Sequence, residues 1–157
     1  MELLKIDEHQ AEVVREILRA AYLPLLEKYH DENESPANKT VDRIRADLRR
    51  ERSDAYLLML DGEAIGYVRV GEKADGYYSI ADLAILPRHQ GRGYAQFFLR
   101  EIEKLYSSVE KWKLITVAEE KKDCHLYEKL GYVQVGIVRE IHENMHFVLY
   151  VKEKPNR

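Results

Sequence analysis

From Arg88 to Ala95 the chain reads Arg-His-Gln-Gly-Arg-Gly-Tyr-Ala, a spacing that can hold a phosphate. Pro87 stops the apolar run before it, and Ala95 and Phe98 open a helical period after it. Gly91 and Gly93 therefore fall at a strand-to-helix junction. A helix start presents unpaired backbone N–H groups and the positive end of the helix dipole, and residues without side chains let an anion approach that backbone closely. Successive N–H groups there can form an anion-binding nest. Arg88 and Arg92 would add charge-assisted bonds to phosphate oxygens, and His89 is a further donor. A crowded turn would also use glycines, so the pair alone does not settle the chemistry. Gly91-x-Gly93 lacks the third glycine of the dinucleotide-binding spacing, and no phosphate-loop lysine motif occurs in the chain.

Other reactive-looking patterns sit in the wrong context. His142-Glu143-Asn144-Met145-His146 matches the zinc-protease pattern, which needs a helix carrying both histidines on one face and a third ligand. Its flanks are β-like and no third-ligand motif follows, so a turn between the last two strands is expected, and no metal. Cys124 and His125 are neighbours on a predicted helix, where adjacent side chains point about 100° apart and do not form a dyad. The eleven tyrosines are scattered without interleaved basic clusters, which favours core and interface use over base stacking.

The elements around the glycine loop follow from periodicity. Apolar residues Val13, Val14, Ile17, Leu18, Ala21 and Leu25 mark an amphipathic helix over residues 8–26, with Pro24 expected to end or bend it. Residues 28–39 are polar and read as a loop, and Val41, Ile44 and Leu48 mark a second helix. Three β-rich runs at 55–60, 64–70 and 77–85 predict an antiparallel meander. A helix over 93–106, a strand over 112–117, a helix over 122–130 ended by Gly131, and strands at 133–138 and 147–151 complete the order.

With 157 residues, 45% of them hydrophobic, the chain suits a single domain spanning 1–157 with one core. Charged residues of both signs make up 34% and sum to a net −3, which argues against nucleic acid as a partner. Charges interrupt the first ten residues and no apolar stretch reaches membrane-spanning length, so neither a signal peptide nor membrane insertion is expected. The single cysteine suits a reducing compartment, and a cytoplasmic location is expected.

Two blocks carry a family resemblance. Asp82-Leu83-Ala84-Ile85-Leu86-Pro87 followed by Arg88-x-x-Gly91-x-Gly93 resembles the acyl-CoA motif of the GNAT N-acetyltransferase superfamily, and Leu126-Tyr127-Glu128-Lys129-Leu130-Gly131-Tyr132 is similar to its later LYEKLGF segment. The resemblance implies an α/β (α+β) fold: a mixed, mostly antiparallel central sheet of six to seven strands flanked by about four helices. It implies acetyl-CoA as acyl donor, no metal, and transfer to a primary amine of a small molecule or peptide by direct attack. The backbone of Leu83, Ala84 and Ile85 would pair with the pantetheine arm, and Arg88, His89, Gln90, Gly91, Arg92, Gly93, Tyr94 and Ala95 would hold the pyrophosphate. Where many members place a cofactor-contacting asparagine, this chain has Glu120.

Tyr127 is the implied acid for the departing sulfur, and a phenol is protonated at neutral pH. The amine needs a base, for which Asp82 comes first and Glu119 and Glu120 second. The acceptor would be met by Tyr22, Tyr29, His30 and His125, near the acidic residues Asp31, Glu32 and Glu34. A rival reading keeps the fold and CoA binding but lacks useful catalysis, as a regulatory module. Homodimerisation through exposed strands is compatible with the sequence.

Overall fold

Strands β1 (Glu2–Ile6), β2 (Ser53–Leu60), β3 (Glu63–Glu72), β4 (Tyr78–Ile85), β5 (Lys111–Val117), β6 (Val133–His142) and β7 (Met145–Glu153) form one sheet in the order β1-β2-β3-β4-β5-β7-β6. Helices α1 (Ala11–Tyr29), α2 (Val41–Leu48), α3 (Tyr94–Leu105) and α4 (Lys121–Lys129) flank it. The computed structural model describes residues 1–154. All neighbouring strands run antiparallel except β4 and β5. The expected mixed, mostly antiparallel sheet with four flanking helices is present.

Alternation along the strands sends successive side chains to opposite faces. On β2, Leu58 joins one core cluster while Leu57 joins another; on β3, Val68 and Tyr67 divide the same way. Phe98, Leu99 and Ile102 of α3, together with Cys124 and Tyr127 of α4, pack on the first face against Trp112 and Leu114. Val14, Ile17 and Leu18 of α1 and Ile44 of α2 pack on the second face against Tyr67 and Ala84. Full burial of such side chains stabilises by about 1.5–3 kcal/mol each, so the two helical layers are fixed to opposite faces.

The N-terminal helix departs from expectation at both ends. Residues Glu8–Gln10 form a 3₁₀ turn capped by Asp7, and the α-helix begins at Ala11. It does not end at Pro24 but continues to Tyr29, closed by His30 in a left-handed conformation. Proline removes one hydrogen bond from the ladder, and the turn beyond it is held by packing: Leu25 and Tyr29 sit against Val117, Met145 and Phe147. The first strand, β1, has only Leu3 and Ile6 partly covered. A segment with so little apolar alternation gives a weak strand signal.

The parallel β4–β5 pair is short. It joins Tyr78, Ser79 and Ile80 to Trp112, Lys113 and Leu114, and the pairing stops there. Beyond that point β4 remains with β3 and β5 remains with β7. The sheet is therefore split between the C-terminal halves of β4 and β5, and α1 on one face and α4 on the other both border the split.

Candidate functional site

The loop from β4 to α3 has the backbone geometry that an anion site requires. After Ile85 a 3₁₀ turn covers Pro87–His89, and Gly93, at φ 83°, precedes the first residue of α3. Gly91 has φ 76°, and at neither glycine would an added Cβ meet any atom within 4 Å. The left-handed backbone, with open space outside it, is what a close-approaching ligand requires. Among the described residues no side chain caps the start of α3, and its first turn carries no acidic residue, so its leading N–H groups remain available. The Gln90 amide donates to the Ile85 carbonyl at 2.8 Å, fastening the loop to the end of β4.

The basic side chains of this loop are not equivalent. Arg88 donates to the Glu63 carboxylate at 2.5 Å, and the His89 Nε2 lies 3.3 Å from the same group. Arg88 is thus tied to the start of β3, contrary to the expectation that it faces a phosphate. Exposed pairs of this kind are screened by solvent and add little net stability, so an anion of higher charge could recruit the guanidinium. Arg92 is exposed and forms no ion pair among the described residues. The His89 ring packs 6.0 Å from the Tyr94 ring, with its Nδ1 buried and without a partner.

At the split itself β4 carries a bulge. Tyr67 pairs with Ala84 and Arg69 with Ala81, leaving Asp82 and Leu83 opposite the single residue Val68. Asp82 takes φ 54°, which an L-residue adopts at a cost. An ion cluster holds it there: Lys39 donates to Asp82 at 2.5 Å and to Asp47 at 2.9 Å, and Arg69 donates to Asp82 at 3.4 Å. Burial pushes the Asp47 carboxyl up, but the Lys39 ammonium and Arg69 guanidinium outweigh it and hold it below its ordinary value. Asp82, the first choice as base, is thereby committed to two cations. Its position serves to fix the bulge that turns the Leu83 carbonyl toward α1, where the Tyr22 hydroxyl donates to it at 2.6 Å.

Across the split, α4 meets α1. Glu120, Asp123 and Tyr127 recur at i, i+3 and i+7 and share one stripe of α4 and its N-cap. Tyr22 and Tyr29 share one stripe of α1. Tyr29 donates its hydroxyl to Glu120 at 2.6 Å and Lys28 its ammonium at 2.9 Å. Glu120 is therefore a helix-to-helix tie rather than a free cofactor contact. Tyr127 is buried, with its ring 6.1 Å from those of Tyr132 and Tyr150, and its hydroxyl makes no hydrogen bond among the described residues. Burial, and then the charges of Asp123 and Cys124, push its phenol well above the ordinary range. The Tyr22 phenol is likewise raised by burial, then by Asp82, Tyr127 and Asp123.

Glu119 does not face this stripe. Its carboxylate accepts from the backbone N–H of His146 at 2.8 Å and lies 2.6 Å from the ring Nδ1, fastening the end of β5 to β7. The His142 to His146 pattern forms the β6–β7 hairpin, with its two turn residues between the strands. Among the described residues no group of three or more His, Cys, Asp or Glu is placed to hold a metal, and no helix is long and apolar enough to cross a membrane. His125 is 81% exposed on the solvent side of α4, and His30 is exposed at the end of α1. Neither joins Tyr22 and Tyr127. Asp31 is buried, with one carboxylate oxygen lacking a partner. The residue absent from the sequence reading is Asp123, and its spacing four residues before Tyr127 is the signal that would have found it.

Comparison with known proteins agrees with this architecture. Residues 12–132 match the acetyltransferase (GNAT) family model. No curated protein matches the sequence. Among solved structures, the fold is similar to the ribosomal-protein-S18-alanine N-acetyltransferase of Escherichia coli, with a TM-score of 0.80 and 14% identity over 99% of this chain and 95% of the other. It is also similar to the PaiA N-acetyltransferase of Thermoplasma acidophilum in complex with coenzyme A (TM-score 0.78, 14% identity, 97% and 98% covered). The spermidine N-acetyltransferase of Vibrio cholerae, in complex with CoA and spermine, superposes with a TM-score of 0.76 at 17% identity (98% and 95% covered). The family match over residues 12–132, joined to the split sheet and the glycine loop at its mouth, places this chain in the GNAT acetyltransferase family.

Proposed function

We propose that the protein is an N-acetyltransferase that moves the acetyl group of acetyl-CoA onto a primary amine by direct attack. The observation that carries this reading is the uncapped start of α3 behind two left-handed glycines, at the mouth of a sheet split that leads to Tyr127. The residues present fit the donor: the N–H groups from Gly91 to Gln96 suit a pyrophosphate, Arg92 adds a cation with no ion pair among the described residues, and the half of β4 that does not pair with β5 suits a pantetheine arm. When bound, acetyl-CoA supplies an acyl carbon activated as a thioester. Around it the chain's own groups divide the work. The β4 bulge fixes the backbone at the acyl position, and backbone N–H groups there would stabilise developing negative charge. Tyr127, kept protonated by its burial, donates a proton to the departing sulfur.

The related proteins named for spermidine and for an alanine of ribosomal protein S18 support an amine acceptor. The deciding experiment is CoA-thiol release from acetyl-CoA with a panel containing spermidine, a lysine amide and an alanine-terminated peptide, alongside calorimetry of CoA binding. Turnover with one of these amines is expected. Tight CoA binding with no turnover on any of them would overturn the enzymatic reading in favour of a regulatory module.

A further inference from the structure

The carboxylates at the split differ in one respect: whether a cation or hydrogen-bond donor already occupies them. Asp82 is held by Lys39 and Arg69, Glu119 by His146, and Glu120 by Lys28 and Tyr29. Asp123 makes no side-chain hydrogen bond or ion pair among the described residues, although it is half-buried. It lies on the stripe of α4 that faces α1, between Glu120, which is tied to Tyr29, and Tyr127, one turn further along. Its charge acts on both the Tyr22 and the Tyr127 hydroxyls, one on each side of the split.

We propose that Asp123 is the catalytic carboxylate that binds the acceptor ammonium and takes its proton. This rests on the reading of the protein as an acetyl-CoA-dependent N-acetyltransferase. The incoming group is a primary ammonium, R–NH₃⁺, seated against the Asp123 carboxylate. One proton passes to the carboxylate and leaves a lone pair on nitrogen. The nitrogen attacks the thioester carbon, a C–N bond forms and the C–S bond breaks. The sulfur departs with a proton from Tyr127, which recovers one from the nitrogen as the amide forms. The second proton returns from Asp123 to solvent, so the sum is amide, CoA thiol and one released proton.

Burial, and then the charge of Glu120, raise the proton affinity of Asp123, against the smaller opposing effect of Lys122. A carboxylate shifted upward is a better match for an amine, whose ordinary pKa is about 10.4 judged from lysine. The other titratable groups facing it are the Tyr22 phenol from α1 and Tyr127 from its own helix, both neutral across the working range because their phenols are raised. Lys28 of α1 is engaged by Glu120 and does not compete for Asp123.

The test is Asp123→Asn, assayed with spermidine and an alanine-terminated peptide, with Asp123→Glu as the conservative control. Wild-type kcat/KM should flatten once Asp123 is ionised. In Asp123→Asn it should fall by about a hundredfold or more at neutral pH and rise about tenfold per pH unit toward the pKa of the free amine. Asp123→Glu should recover part of the rate, and acetyl-CoA affinity should stay within about twofold in both variants. A readout apart from turnover is the carbon-13 carboxyl signal of Asp123 in CoA-loaded protein. It should titrate above the ordinary aspartate range and move on addition of spermidine. Wild-type-like kcat/KM and pH profile in Asp123→Asn would overturn the assignment while leaving the acetyltransferase reading intact. A wild-type protein inactive toward every amine would overturn both.

Discussion

At the α3 end of the cleft, the proposed donor site is made of backbone: the N–H groups of a helix start, shaped by Gly91 and Gly93, with Arg92 beside them. At the α4 end the proposed acceptor site is made of side chains, Tyr22, Asp123 and Tyr127, delivered by two helices from opposite faces of the sheet. The first kind of site depends on local sequence, because a few consecutive residues set the backbone that does the binding. The second depends on tertiary placement. Its parts come together only because β4 and β5 separate after Ile80 and Leu114.

Substitutions that attack one end and spare the other break or sharpen this contrast. The largest effect belongs to Gly93→Glu, which places a side chain and a negative charge in the space proposed for the pyrophosphate and strains a residue at φ 83°. CoA affinity measured by calorimetry should fall about a thousandfold, about 4 kcal/mol. Far-ultraviolet circular dichroism should be unchanged, since an added Cβ meets no atom within 4 Å. Retained affinity would show that the backbone end is misidentified.

Next is Asp47→Asn, which leaves Lys39 and Arg69 without one of their two carboxylates behind the β4 bulge. Breaking a buried ion cluster this way should cost about 3 kcal/mol in urea unfolding. Because the Asp47 pKa is depressed in the folded state, its stabilisation is present above its ordinary value of 3.8 and is lost as pH falls through the lower folded value. The variant should therefore show a shallower loss of stability on acidification in that window.

Tyr127→Phe should lower the transfer rate by about a hundredfold while acetyl-CoA affinity holds, a split that calorimetry and steady-state kinetics together resolve. Equal losses in both would mean that Tyr127 packs rather than reacts. The smallest effect is expected of Tyr22→Phe, which removes one hydrogen bond to the Leu83 carbonyl. It should cost about 1 kcal/mol, lowering the melting temperature by about 3 °C, without altering CoA affinity.

The same contrast explains what the sequence made legible. The glycine loop, the meander and the helix ended by Gly131 follow from short-range signals and are where the periodicity places them. The acidic residues are harder to read. Asp82, Glu119 and Glu120 drew attention by their position next to strands, yet each proves to be engaged by a cation or donor from a distant element. A carboxylate's partner is a long-range fact that spacing does not encode. Pro24 misled for a related reason. Ending the first helix there would have removed Tyr29 from the stripe of Tyr22, and with it the tie to Glu120 that sets α1 against α4. Packing around Leu25 and Tyr29 overrides the local preference of proline.

The three-residue β4–β5 pair has a thermodynamic consequence. A sheet that stops pairing in its middle has an internal edge whose backbone groups must otherwise look to water, and a ligand that lies along that edge supplies the bonds that folding left unmade. Binding energy there adds to the free energy of folding, by RT ln(1 + [L]/Kd), about 2.7 kcal/mol at a hundredfold excess over Kd. The two halves of the sheet, β1 to β4 and β5 to β7, should accordingly behave as loosely joined cooperative units whose coupling tightens with donor concentration. Amide exchange at residues 81–85 is where that tightening would be felt first.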